Sequence, residues 1–296
     1  MTFESYSEPR VKRINDFLDS NLLKFRGSVS QRFAPLISAM QYSLEGGGKR
    51  LRPLMVVAAA ECLGLPIDDV LPAACAIEYI HTYSLVHDDL PALDDDDTRR
   101  GKPSNHKKFG EAVAILAGDA LLTEAFGLMH QLTENKRFNA LNILNATELL
   151  PTFAGVRGMV GGQLLDVTSG NLNYSLPEVE FIHIHKTGAM ILASVLMPAR
   201  LIGAEEPRIK NLRRYGEAVG LAFQISDDIL DSEATLRYSR GPRKKPKPSY
   251  TQVMSPAEMK QKLNSLIDNA TQALAEEGQK AEPLVAIAEF IRTRRH

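Results

Sequence analysis

Cysteine is scarce in this chain. Only Cys62 and Cys75 occur among 296 residues, both in apolar stretches, AAECLGL and PAACAIE. They cannot form a disulfide framework, and they read as two buried thiols in a reducing compartment. Net charge is nearly absent as well: 35 Lys and Arg stand against 36 Asp and Glu. The whole molecule is therefore no polyanion binder and nucleic acid is not expected as a partner, so any charge effect must be local. The first residues, MTFESYSEPRVKRIND, lack the apolar stretch of a secretory signal. No uncharged apolar run reaches the ~18 residues that a membrane span needs, so membrane insertion is not expected. The expectation is a soluble, cytoplasmic protein. Sustained two-residue alternation is missing too, which argues against extended sheet.

Helical periodicity fills the space that these absences leave. Phe33, Leu36, Ile37, Met40 and Leu44 recur at steps of three and four, and Gly46, Gly47 and Gly48 end that segment. Pro53 suits the first turn of LMVVAAAECL, which Gly64 terminates. Residues 67–90 form a long apolar segment, and EAVAILAGDALLTEAFGLM is rich in alanine and leucine, as buried helices are. Residues 139–163, 177–203, 206–231, 256–276 and 280–294 continue the pattern. A single all-α domain over residues 1–296 follows. Residues 232–256 are the exception: basic, with four prolines and little periodicity, they read as a long mobile loop.

Two acidic clusters interrupt this apolar pattern. HDDLPALDDDDTRRG puts six aspartates between residues 88 and 97, straight after an apolar helix. Pro91 has no N–H to donate and blocks regular winding, so Asp94 can loop back towards Asp88. Asp95, Asp96 and Asp97 read as a solvated extension, some capping the turn or pairing with Arg99 and Arg100. In FQISDDILD, Asp227 and Asp231 are four apart on one helical face, with Gln224 one turn earlier. Carboxylates near low-dielectric surroundings have raised pKa values unless a cation compensates. Hard oxygen donors of this kind suit Mg²⁺. One such cluster is explained equally well as a solvated acidic face. Two, each embedded in apolar helix, favour a metal site. The EF-hand spacing is absent.

A metal site that takes phosphate also needs cations for the remaining charge. GGGKRLRP offers Lys49 and Arg52 beside three glycines, but it is not a P-loop, since GxxxxGK[ST] is not met. Lys186 sits in HKTGAM inside an otherwise apolar helix, where Thr187 and Gly188 weaken winding and could free carbonyls. His81 lies seven residues before Asp88, on its face. Each of these alone reads as a solvated or structural residue. As a set around two acidic clusters they suggest a diphosphate pocket.

The motifs GGGKRLRP, YIHTYSLVHDDLPALDDDDTRRGKPSNHKKFGEAVAILAGDALL, GGQLLD, HKTGAM and GLAFQISDDILD, in that order, resemble the trans-isoprenyl diphosphate synthases. The resemblance covers residues 30–231. It implies the all-α isoprenoid synthase fold, an antiparallel bundle of ten or more helices around a central cavity, and a homodimer. It further implies three Mg²⁺ ions joined to Asp88, Asp94 and Asp227, with Asp89, Asp228 and Asp231 nearby. Arg99, Lys186 and Lys247 would hold an allylic diphosphate, while Lys49, Arg52, His81 and Arg100 would hold isopentenyl diphosphate. The carbonyl ends near Lys186 and Thr187, with the Gln224 amide oxygen, would face an allylic carbocation. Tyr83 and Ser84, five and four positions before Asp88, would limit chain length. The bulk of Tyr83 favours a fifteen-carbon product, farnesyl diphosphate. A geranylgeranyl diphosphate synthase and a non-catalytic partner subunit are the alternatives.

The resemblance degrades after Asp231. The family's lysine followed by a GKxTYP-like block is replaced by PKPSYTQVMS, in which Lys247 aligns but Pro246 stands for Gly. The basic tail IRTRRH reads as a frayed end more readily than as an arm reaching the isopentenyl site. A class I terpene cyclase would carry a second motif with Asn/Asp, Ser/Thr and Glu at wider spacing, which DDILD does not match.

Overall fold

The computed structural model describes residues 1–28, 30–168, 174–238 and 248–294. The chain enters on α1 (Phe3–Ser28), then α2 (Ala34–Leu44), α3 (Leu51–Cys62) and α4 (Ile67–Asp88). A two-rung hairpin follows, β1 (Thr98–Arg99) and β2 (Lys102–Pro103), with Thr98 opposite Pro103 and Arg99 opposite Lys102. Next come α5 (Asn105–Phe109), α6 (Glu111–Gln131), α7 (Ala140–Thr147), α8 (Leu149–Ala154) and α9 (Met159–Thr168). The remaining helices are α10 (Leu176–His183), α11 (Ala189–Leu201), α12 (Glu206–Tyr238), α13 (Pro256–Ala273) and α14 (Glu282–Thr293). More than ten α-helices and one two-residue hairpin make an all-α fold among the described residues.

At the centre α3, α4 and α11 pack on one another. Leu54, Met55, Val56 and Val57 of α3 are fully buried. Their transfer from water contributes on the order of 10 kcal/mol before chain entropy is set against it. α6 packs on α4, α12 on α11, α13 on α12, and α14 on α3. α1, which the sequence pattern did not single out, buries Ile14, Leu18 and Leu22 at four-residue steps. Tyr6 of the same helix donates to Glu61 Oε2 at 2.9 Å and ties α1 to α3.

Arg50, between the two cationic residues of GGGKRLRP, is structural. Buried and held in the left-handed region (φ 49°), it pairs with Glu78 at 2.7 Å and donates to Asn15 Oδ1 at 2.9 Å and to the Leu44 carbonyl. Both cysteines are free and buried.

Two expectations change. The region 232–256 is not one loop: α12 runs on to Tyr238, and Ser255 opens α13 with a capping box, Ser255 N–H donating to Glu258 Oε2 at 2.7 Å. Lys247 lies outside the described residues. α6 is not a buried helix, because Ile115, Leu116 and Phe126 stand exposed on its outer face. Residues 111–134 and 176–201 have the length and mean apolarity of a membrane span, but both carry charged side chains, so neither is an uncharged run of that length. The second is mostly buried inside the bundle.

Candidate active site

The first acidic cluster is shaped by the end of α4. Asp89 closes the helix, its N–H bonding the Leu85 carbonyl at 3.2 Å. Pro91 cannot extend the helix, and the chain folds back over its last turn. Asp94 N–H donates to the Asp88 carbonyl at 2.9 Å and Asp96 N–H to the Asp89 carbonyl at 3.2 Å, with Asp95 in the left-handed region (φ 54°). The looping back expected of Asp94 is therefore present. A cleft of about 350 Å³ is walled by Asp88 and Asp94 from this turn and by Asp227, Asp228 and Asp231 from α12. It shares Leu85, Asp88, Arg99, Lys186, Thr187, Gln224 and Asp227 with a larger cavity of about 770 Å³.

The six aspartates are not equivalent. Asp89 is 2% exposed and its carboxylate is gripped by the Arg99 guanidinium. Burial raises its pKa and Arg99 opposes the rise. Ligation by Asp89 would require that pair to open. Asp228 accepts the Tyr250 N–H at 2.7 Å and lies 3.7 Å from His183 Nε2. Burial pushes its carboxyl up to about 6 and lowers His183 to about 4. Asp227 is also raised, by burial first, against the Arg294 guanidinium 2.6 Å away.

The donors in the cleft are mainly carboxylate oxygens, hard and short, with one imidazole, His183, beside Asp228, and the set suits Mg²⁺ better than a softer ion. Asp88, Asp94, Asp227 and Asp231 have the chemistry such ions need and line one cleft, but they do not gather three ligand atoms within 4.8 Å of one another. A separate group, Asp95, Asp97 and His106, has ligand atoms within 4.8 Å of one another, but none of the three lines either cavity. Asp97 there pairs with Lys107 at 2.9 Å.

Basic residues line the larger cavity. Lys49, Arg52, His81, Arg99 and Arg100 all reach it. His81 Nε2 lies 3.3 Å from Arg52 Nη1, and burial with the neighbouring arginines drives its pKa well below the ordinary value. It is a neutral acceptor. Arg100 donates to the Gly47 carbonyl rather than to an aspartate. Lys49 Nζ sits 4.9 Å above the Phe290 ring, and burial lowers its pKa.

Residues 184–188 wind as a single π-helical turn between α10 and α11, carrying Lys186 and Thr187 into the cavity wall. The weakened winding expected of Thr187 and Gly188 takes this form. Two residues on α9, which sequence reasoning gave no role, support the turn. Asp166 holds Lys186 Nζ at 2.5 Å, and a Cβ at Gly162 would meet the Lys186 backbone N at 2.3 Å. Gln163 also lines the cavity, with neither side-chain atom hydrogen-bonded. The signal was present in GGQLLD: Gln163 and Asp166 are one helical turn apart.

Tyr83 is 7% exposed on the cavity wall, its ring edge-on to His87 with centroids 5.8 Å apart. Ser84 Oγ donates to the His81 carbonyl at 2.8 Å. Arg294 is a further residue that sequence reasoning set aside. It is not frayed: its side chain is 6% exposed and lines the larger cavity.

Two carboxylate clusters and a set of cations around one large, mainly apolar cavity inside an all-α bundle define an enzyme of the isoprenoid synthase fold. The chain belongs to the polyprenyl synthetase family, whose description matches residues 34–281. It is thereby a prenyl diphosphate synthase. It is 44% identical over 267 residues to a farnesyl diphosphate synthase of Geobacillus stearothermophilus, covering 89% of this chain and 90% of that one. It is 43% identical over 261 residues to a geranylgeranyl diphosphate synthase of Cyanophora paradoxa, with 86% of each covered. The crystal structure of a geranyltransferase from Legionella pneumophila superposes with a TM-score of 0.87 at 30% identity, over 98% of this chain and 96% of that one.

Proposed function

We propose that this chain condenses isopentenyl diphosphate with dimethylallyl or geranyl diphosphate and stops at fifteen carbons, as a farnesyl diphosphate synthase. The observation that carries the chain length is Tyr83, buried in the cavity wall one turn before Asp88. A growing apolar chain directed away from the aspartates meets that ring.

Asp88, Asp94, Asp227 and Asp231 would hold Mg²⁺, which when bound neutralises a leaving diphosphate. Lys186 has three N–H donors and uses one on Asp166, so the others remain for an allylic diphosphate. Arg99 donates to Asp89 through Nε and Nη2 and keeps others of its five N–H donors for the diphosphate. Lys49, Arg52, His81 and Arg100 would hold isopentenyl diphosphate, with neutral His81 orienting Arg52. The carbonyls of the π turn and the Gln224 amide oxygen present partial negative charge to a developing allylic cation. Closure of the apolar wall around both substrates would exclude water, which would otherwise quench that cation.

The same reading includes a homodimer in the cytoplasm. α6 exposes Ile115, Leu116 and Phe126 along with Asp119. A charged side chain amid that stripe is costly in lipid but readily paired by a protein partner. The two free, buried cysteines agree with a reducing compartment.

The test is direct. The protein is incubated with Mg²⁺, isopentenyl diphosphate and each allylic primer separately, and the products are separated by chromatography. Farnesyl diphosphate is expected as the main product, and Tyr83→Ala should give longer chains. A geranylgeranyl product from the unaltered protein would overturn the assigned length. No elongation from any primer would favour the partner-subunit reading.

A further inference from the structure

We infer that Arg294 is an internal latch on the second aspartate cluster: its guanidinium holds Asp227 in place of a metal ion and must be displaced for metal to load. The inference rests on the reading of Asp227 as a metal ligand. α14 stops at Thr293, and Arg294 turns out of the helix while its N–H still bonds the Phe290 carbonyl at 2.9 Å. Its side chain then crosses to a single turn of α12. Nη2 meets Asp227 Oδ1 at 2.6 Å and donates to the Phe223 carbonyl at 2.8 Å, while Nε donates to Ser226 Oγ at 2.8 Å. The guanidinium carbon lies 4.2 Å from the centre of the Phe223 ring.

This is a built site rather than a chance contact. Arg292, two residues earlier, pairs with the exposed carboxylates of Asp268 and Glu289. Arg294 instead has one carboxylate, one hydroxyl, one carbonyl and one aromatic face arranged around it. A guanidinium this buried is stable only when its charge is compensated, and Asp227 is the carboxylate that does so. Conversely, Arg294 supplies the positive charge that faces the Asp227 carboxylate. A small divalent ion bound through Asp227 would put a second cation against the guanidinium, so the two compete for one anion. The same arginine is close enough to Lys49 to lower its pKa. Its departure would thus be felt at the cationic end of the cavity too. Arg294 then reports on whether the metal site is filled.

The test measures Mn²⁺ binding by electron paramagnetic resonance in the presence of inorganic diphosphate. Four proteins are compared: the unaltered chain, Arg294→Gln, a chain ending at Thr293, and Asp227→Asn. Circular dichroism melting confirms that each is folded. The latch predicts that Arg294→Gln and the shortened chain bind Mn²⁺ on the order of tenfold more tightly, the net worth of a charge-assisted hydrogen bond. Mn²⁺ affinity within about twofold of the unaltered protein, or weaker, in both chains lacking Arg294 would overturn the latch. If Asp227→Asn binds Mn²⁺ as well as the unaltered protein, the metal reading of Asp227 fails and the latch with it. Weakened binding in Asp227→Asn with no change on loss of Arg294 overturns the latch alone.

Discussion

His81 shows how single residues in this cavity are tuned. It is enclosed beside Arg52, Arg99 and Arg100, and burial is the largest influence on it, followed by those positive charges. All act against protonation, so its folded pKa lies well below its unfolded value near 6.5. The unfolded chain is then the state that takes up a proton in acid. The stability associated with His81 is complete above the unfolded pKa and is lost as pH falls towards the folded one, at up to about 1.4 kcal/mol per pH unit. Urea unfolding at pH 7.5 and 5.5 should show the unaltered protein losing about 1 kcal/mol more than His81→Gln over that interval. Equal losses would mean that His81 is not held neutral. The position of His81 on the face of Asp88 was legible from its seven-residue spacing. Its partner was not: Arg52 comes from another helix, and no local pattern announces that pairing. Asp166 and Lys186 make the same point, since a twenty-residue separation hides an ion pair that is 2.5 Å long in space.

Between elements, the tightest constraint near the site is the seam of α4 against α6, the heaviest helix pairing in the fold. His87 of α4 fits over Gly118 of α6, and its Nε2 lies 3.0 Å from the Ile115 carbonyl. A Cβ on Gly118 would stand 2.1 Å from that nitrogen. Gly118→Ala would therefore push His87 aside, breaking its contact with Ile115 and withdrawing the ring that flanks Tyr83. The displaced ring can swing outward and alanine gains about 1 kcal/mol over glycine in a helix interior, so a net destabilisation of no more than about 1 kcal/mol is expected, read as a lower denaturation midpoint with an unchanged urea dependence. No change in midpoint would mean that the seam has slack. Helix boundaries at this scale were mostly legible, because Pro91, Gly64 and the periodic apolar residues act locally. Two boundaries were not. α12 continues to Tyr238 although the apolar stripe has stopped, and α13 starts from a Ser-Pro cap inside what read as loop. In both places local backbone chemistry outweighs hydrophobic periodicity.

For the molecule as a whole, the feature that calls for an explanation is the outer face of α6. Composition made this helix look buried, and within one chain it is not: Leu116 is 56% exposed, with Ile115 and Phe126 beside it. Alanine and leucine content reports that a surface avoids water, not which surface covers it. A second copy of the chain is the partner proposed above, and Asp119 within the stripe weighs against lipid. Covering such a stripe symmetrically would place α6 of one protomer against α6 of its partner, so a single change is applied twice across the interface. Leu116→Lys puts two ammonium groups into that seam without touching the core of either chain. Light scattering after gel filtration should give the unaltered protein at twice 32.7 kDa and Leu116→Lys at 32.7 kDa. An unaltered protein of 32.7 kDa would refute the dimer. A variant that stays at twice that mass would move the interface to another face.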